Sequence, residues 1–240
     1  MTLSESKIVV VGGSSGIGLG VARAALARGA EVIVVGRARE KLAAAAASLA
    51  AAGRSVQSVA ADVTREEDVT RLFGEVGAFD HLVVTAVVGA YAPIASIELS
   101  AARGLVDSKL VSAILLAKHA CGRLRPHGSV TFTSGIAKDR PSPGGSVVAA
   151  VNGALGAFAR ALALEMAPVR VNVVSPGWVD TPVWDRMGAD KASKFEALAR
   201  RLPVGRIGAP EDLASAYLFL MENGFTTGTT LHIDGGHALV

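Results

Sequence analysis

The chain has 240 residues, half of them hydrophobic, with 19% charged and a net charge of +3. That profile fits one domain with a substantial core and excludes a disordered or highly charged polypeptide. Its 24 Lys and Arg are interspersed with 21 Asp and Glu, not gathered in a stripe with stacking aromatics, so a nucleic-acid surface is not expected.

The segment Met1 to Lys7 is polar and contains no apolar signal core. Lys7–Val11 predicts a first strand that ends in glycines, followed by an amphipathic helix over Gly16–Arg28. A second strand is expected at Glu31–Val35, an alanine-rich helix at Lys41–Ala52 and a third strand at Ser55–Ala60. Asp62 and Thr64 open a helix that runs through Val76, with acids in its first turn. Next come a strand near Asp80–Ala86, a long helix over about Ser100–Leu124 and a strand at Ser129–Thr133. The last part predicts a helix at Val147–Met166, a strand at Arg170–Val174, helices at Lys191–Leu202 and Pro210–Met221, and a strand at Thr230–Ile233.

Near-continuous apolar strands that alternate with helices imply a parallel sheet covered on both faces. The expected fold is therefore α/β: residues 1–240 as a single-domain, Rossmann-like, doubly wound parallel sheet of about seven strands. A substrate loop and helix region is expected over about 178–205. The apolar stretch Ser146–Ala167 is interrupted by Asn152, Arg160 and Glu165, which favours a buried helix over a membrane span. The single cysteine, Cys121, excludes an intramolecular disulfide, fits a reducing cytoplasm and is expected to be a buried structural thiol. The five histidines lack metal-ligand spacing, so no metal site is expected.

Gly12-x-x-x-Gly16-x-Gly18, with Ser14, Ser15 and Ile17 between the glycines, sits where the first strand passes into the first helix. There, backbone N–H groups at a helix N-terminus can approach a dinucleotide pyrophosphate. A carboxylate after the second strand would bond the ribose hydroxyls of NAD, but this chain has Gly36 followed by Arg37 and Arg39. Guanidinium without a competing anion favours NADP(H) over NAD; the alternative is that both arginines are simply solvated.

The glycine motif, Asp62-Val63, Thr133-Ser134-Gly135, Arg170-Val171-Asn172-x-x-Ser175-Pro176-Gly177, Gly205-Arg206-Ile207-Gly208-x-Pro210-Glu211-Asp212 and Asp234-Gly235-Gly236 occur in that order. Together they resemble the short-chain dehydrogenase/reductase family across essentially the whole chain. The resemblance implies that Asp62 and Val63 contact adenine, and that Gly177, Val179 and Thr181 line the nicotinamide and pyrophosphate side. Where the family carries Asn-Asn-Ala-Gly after the fourth strand, this chain has Val84-Thr85-Ala86-Val87. That exchange implies lost strand-linking hydrogen bonds and less room beside the adenosine, with Ala86 retained at the cofactor.

The family places Ser, Tyr and Lys around the substrate carbonyl, with an Asn on the preceding helix. Counting back from Leu162-Ala163-x-Glu165 puts the tyrosine position at Val148 and the lysine position at Asn152; counting from Ser134 gives Val147 and Val151. The helix register is preferred because the loop Pro141–Gly145 absorbs insertions. The family's asparagine position falls at Lys109, so Lys and Asn have exchanged helices, similar to polyketide-synthase ketoreductase domains. The competing reading is a solvated Lys109 and a satisfied polar Asn152.

The expected function is an NADP(H)-dependent oxidoreductase for a small carbonyl/alcohol, imine or alkene substrate. It would use Ser134, Lys109 and Asn152 without a tyrosine, with Ser134 bonding the carbonyl and Lys109 or a lysine-bound water giving the proton. The alternative is a catalytically silent nucleotide-binding protein, serving as a redox sensor or structural subunit. Tyr217 is expected to pack in the core and Tyr91 to wall the substrate site. Trp178 and Trp184 would wall the pocket or pack, and Asp107 and Ser108 are expected at the helix surface or an interface. The resemblance implies a homo-oligomer, tetramer or dimer, built on the helices that carry Lys109 and Asn152. The small surface of Gly153, Ala154, Gly156 and Ala157 suits such packing.

Overall fold

The computed structural model describes residues 2–50, 56–86, 89 and 91–240. In chain order its regular elements are β1 (Lys7–Val11), α1 (Gly16–Ala27), β2 (Glu31–Gly36), α2 (Arg39–Ala50), β3 (Val56–Ala60), α3 (Glu66–Val76) and β4 (Phe79–Val84). They continue with α4 (Leu99–Val106), α5 (Ser112–Ala120), β5 (Leu124–Thr133), α6 (Ser146–Glu165), β6 (Arg170–Pro176), α7 (Asp190–Ala199), α8 (Pro210–Glu222) and β7 (Thr230–Ile233). Ala51, Ala52, Ser55 and Val87, which entered the expectations above, lie outside the described residues.

The strands form one parallel sheet in the order β3-β2-β1-β4-β5-β6-β7. β1 and β2 bury apolar residues on both faces, Ile8–Val11 and Val32–Val35, as burial from two sides requires. On one face Leu72 and Phe73 of α3, Leu116 of α5 and Leu155 and Leu162 of α6 join one core. On the other, Val21 of α1, Leu42 of α2 and Leu213 and Tyr217 of α8 join a second. The chain winds outward in opposite directions from β1 and β4, which leaves a crevice beyond their C-terminal ends.

The single long helix expected before β5 is instead three pieces. Between α4 and α5, residues Asp107–Val111 make a wider π-type turn, with the Ser112 amide bonded to the Asp107 carbonyl five residues back. The helix stops at Ala120, because Gly122 (φ +76°) reverses the chain and Leu124 already belongs to β5. Cys121 is therefore exposed at the helix end, not buried as expected. Ser108 reverses the other way: it is 7% exposed, so it is no surface residue, whereas Asp107 is exposed.

Candidate active site

A cleft of about 800 Å³ opens at the β1–β4 switch point, lined by Gly12, Ser14, Ser15, Gly16, Ile17 and Gly18. Gly12 needs its missing side chain twice over: φ is +85°, and a Cβ there would stand 2.6 Å from Thr85 Oγ1. At the head of α1, Ser15 makes no side-chain cap and the first turn holds no acid. The amides there are thus left for an anionic ligand. Thr85 corrects one expectation, since its Oγ1 and its amide both donate to the Val11 carbonyl, at 3.0 and 2.8 Å, restoring a β1–β4 link without asparagine.

Gly36 and Arg37 line the cleft at the end of β2, and so does Lys41, in the first turn of α2. Sequence reading missed Lys41, although its spacing of four from Arg37 was the available signal. Arg39 does not border the cleft. Asp62, Val63 and Ala86 all do. The Asp62 carboxylate is fixed by its own turn, as Oδ1 accepts Thr64 Oγ1 at 2.7 Å and the Thr64 amide at 3.1 Å.

On the opposite wall Gly177 passes so close to Asp234 that a Cβ would meet its Cα at 2.7 Å. Val179 is bridged to Gly208, and Gly208 exchanges backbone bonds with Trp178 and Asp180 at 2.9 and 2.8 Å. Gly208 in turn is held in place by Asp212, which takes both Arg206 Nη atoms at 2.6 and 2.7 Å and the Ala209 amide at 2.7 Å. Those bonds hold the Asp212 carboxyl down at about 2. Thr181 lies against Gly16, 3.2 Å from where a Cβ would sit.

The π-type turn carries Lys109 into the cleft. Ser112 Oγ donates to the Ser108 carbonyl at 2.7 Å, an acceptor that the wide turn takes from Ser112's own amide. Lys109 Nζ donates to Asn152 Oδ1 at 2.6 Å and to the Ser134 carbonyl at 2.8 Å. Burial pulls the Lys109 ammonium down to about 8. Asn152, 2% exposed, gives its other amide group to the Gly135 carbonyl at 3.2 Å. The solvated-lysine reading is thereby corrected, and the three residues expected to act together meet at one point. The Ser134 hydroxyl, however, donates to the Asn152 backbone carbonyl at 2.9 Å. Val148, where the resemblance expects a tyrosine, is an apolar part of the cleft wall, 7% exposed.

Toward the mouth, Trp178 and Trp184 stack at 4.2 Å, and Tyr91 borders the same space. Within 178–205, Val183, Trp184, Arg186, Leu198 and Arg201 line the cleft. Arg140 and His237 join them, and neither was signalled by any motif. Tyr217 is fully buried and its hydroxyl bonds Thr133 Oγ1 at 2.6 Å, so it packs as expected.

Residues 11–238 match a family model described as Enoyl-(Acyl carrier protein) reductase. A short-chain dehydrogenase/reductase, ATR9, from Stachybotrys chlorohalonatus is 34% identical, with 98% of both chains covered. Among solved structures, the MalC reductase/Diels-Alderase from Malbranchea aurantiaca superposes with a TM-score of 0.93 at 31% identity, covering 100% of this chain and 98% of that one. An NADPH-bound short chain oxidoreductase from Pseudomonas aeruginosa PAO1, described as containing an atypical catalytic center, reaches 0.90 at 29% identity, with 96% of both chains covered.

Proposed function

The chain belongs to the short-chain dehydrogenase/reductase family and is an oxidoreductase; from that premise we propose that it prefers NADP(H) and reduces a small carbonyl, imine or alkene through a Lys109–Asn152–Ser134 set that dispenses with tyrosine. The observation that carries this is Lys109 Nζ held between Asn152 Oδ1 and the Ser134 carbonyl. In polyketide-synthase ketoreductases, which this exchange resembles, the same two residue types sit on swapped helices.

The cleft suits the dinucleotide. Gly12–Gly18 would take the pyrophosphate on the uncapped head of α1, Asp62, Val63 and Ala86 the adenosine, and Gly177, Val179 and Thr181 the nicotinamide side. Arg37 and Lys41 would meet a 2′-phosphate, with Gly36 offering no carboxylate to oppose it. When bound, the cofactor supplies the hydride.

The protein's share is the proton. An ammonium has three N–H donors, and Lys109 engages two with the Asn152 and Ser134 acceptors. The third is available for the substrate atom that gains charge, and after giving it up the neutral amine still satisfies both acceptors. With its pKa lowered to about 8, Lys109 is mostly charged at neutral pH and is a far better acid than an ordinary lysine. Ser134 reaches a substrate oxygen as donor once its hydroxyl turns from the Asn152 carbonyl; until then its lone pairs accept. Assembly as a homo-oligomer is part of the same reading, supported by Gly153 and Ala157 standing exposed on α6 beside Leu164, 83% exposed; a cytoplasmic location is proposed with it, from the single cysteine.

The test is NADPH fluorescence titration followed by a panel of ketones, aldehydes, imines and activated alkenes, with Lys109→Ala run in parallel. The reading expects micromolar NADPH binding and at least one turned-over substrate that the variant loses. NADPH binding without oxidation of any member, or full turnover by Lys109→Ala, would overturn it.

A further inference from the structure

The outer part of the cleft carries positive charge that the proton-transfer set does not use. Arg140 follows the short turn Ile136–Lys138, Arg201 follows α7, and His237 opens the C-terminal turn His237–Leu239; all three border the cleft. Among the described residues, no carboxylate lies within ion-pair range of Arg140 or Arg201. Some arginines elsewhere are paired, such as Arg28 with Glu222 and Arg125 with Asp80, whereas Arg140 and Arg201, like Arg37, line the cleft with no acid among the described residues bonded to them. The neighbouring acids are occupied: Asp139 by Lys138 and His232, and Asp234 by the amides of Gly236 and Ala238.

His237 Nδ1 is buried and has no hydrogen-bond partner. Burial holds its imidazole below the usual range against the pull of Asp234, and Arg201 and Arg140 stand near enough to deepen the effect. His237 Nδ1 and the two guanidiniums thus offer an oxyanion in the cleft a set of hydrogen-bonding groups not spent on any acid. Arg186 adds a third guanidinium, held by rings and not by an acid: its Cζ lies 5.5 Å from the Tyr91 centroid and 5.7 Å from that of Trp184. A cation–π contact of this kind holds the guanidinium without spending its N–H groups on an acid.

We propose that the substrate carries an oxyanion, carboxylate or phosphate, on a flat unsaturated or ring framework. Arg140 and Arg201, with His237, take the anion, and the Tyr91–Arg186–Trp184 group lies along the framework. The proposal rests on the oxidoreductase reading only in placing the reacting carbon near Lys109.

The chain's two tryptophans, Trp178 and Trp184, both line this cleft, so their fluorescence reports its occupancy directly. With the full chain saturated in NADP⁺, which prevents reduction, the probes are phenylglyoxylate, its methyl ester and phenyl phosphate. Phenylglyoxylate is expected to bind about tenfold or more tightly than the ester. The double variant Arg140→Gln/Arg201→Gln should erase that difference while leaving ester binding and NADPH affinity unchanged. Competition between phenylglyoxylate and phenyl phosphate decides which oxyanion fits. Equal affinity for acid and ester, failure of both to bind, an unaltered acid affinity in the double variant, or loss of its NADPH affinity would each overturn the proposal. Because nothing is turned over, a protein that discriminates the acid yet never oxidises NADPH would defeat only the proton-transfer reading.

Discussion

Lys109 Nζ and Asn152 Oδ1 stand 2.6 Å apart, a bond that ties the wide turn between α4 and α5 to the middle of α6. The amide oxygen faces the ammonium, and the amide nitrogen is anchored on Gly135. Asn152 therefore fixes the direction from which the ammonium is presented.

That geometry sets a pH dependence. In the proposed role Lys109 donates only while charged, so the reduction rate should be flat from pH 6 to 7 and fall as pH rises through about 8. Oxidation of the alcohol needs the neutral amine and should rise over the same interval. A reduction profile still flat at pH 10 would remove Lys109 as the proton donor.

Replacing the donor should be severe: Lys109→Met is expected to lower kcat by about 10²–10⁴-fold. Asn152→Leu should act differently, because it deprives the ammonium of an acceptor without removing it. Its kcat should fall about tenfold, and the kinetic pKa should move further below that of the wild type. An unmoved pKa would reduce Asn152 to a packing residue.

Val148 forms the cleft wall where the family's phenol is expected. Val148→Tyr should therefore raise the reductase rate on a small ketone, by about tenfold or more if the hydroxyl reaches the substrate oxygen. Steady-state kinetics on the same ketone checks it, and an unchanged rate would show that chemistry proceeds through another group.

Arg37 and Lys41 together should select the phosphorylated cofactor. Arg37→Ala/Lys41→Ala is expected to weaken NADPH binding about tenfold or more while leaving NADH unchanged. Parallel titrations of the two cofactors measure it; equal losses for both would assign these side chains to general electrostatics.

The Asp212 clamp makes a stability prediction. Asp212→Ala removes the paired bonds from Arg206 and the one to the Ala209 amide, and should cost about 1–2 kcal/mol. Its folded pKa of about 2 lies below the ordinary 3.8, so the contribution is complete above pH 4 and disappears as pH falls toward 2. Urea titrations of wild type and variant at pH 7 and pH 3 should show the gap narrowing with acid.

What was legible in the sequence was whatever local pattern controls. The apolar runs around Val9, Ile33, Val130 and Val171 are strands because parallel sheets bury both faces, and β7 falls where expected. Counting back from Leu162-Ala163-x-Glu165 to Asn152 stays within one uninterrupted helix, α6, so the count alone reached the residue that meets Lys109. The π-type turn was illegible, since one extra residue in a turn barely disturbs a 3.6-residue period. Thr85 was misjudged because a hydroxyl can make a link usually made by an amide. Arg140, Arg186, Arg201 and His237 carry no motif; only the return of four separate segments to one cleft mouth brings them together.

The widened turn at Asp107–Val111 makes the proposed chemistry depend on the number of residues as much as on their kind. Deleting one residue there would let an ordinary helix run straight through. The amine would swing by roughly 100° about the axis, out of reach of α6, with every polar side chain of the site still encoded.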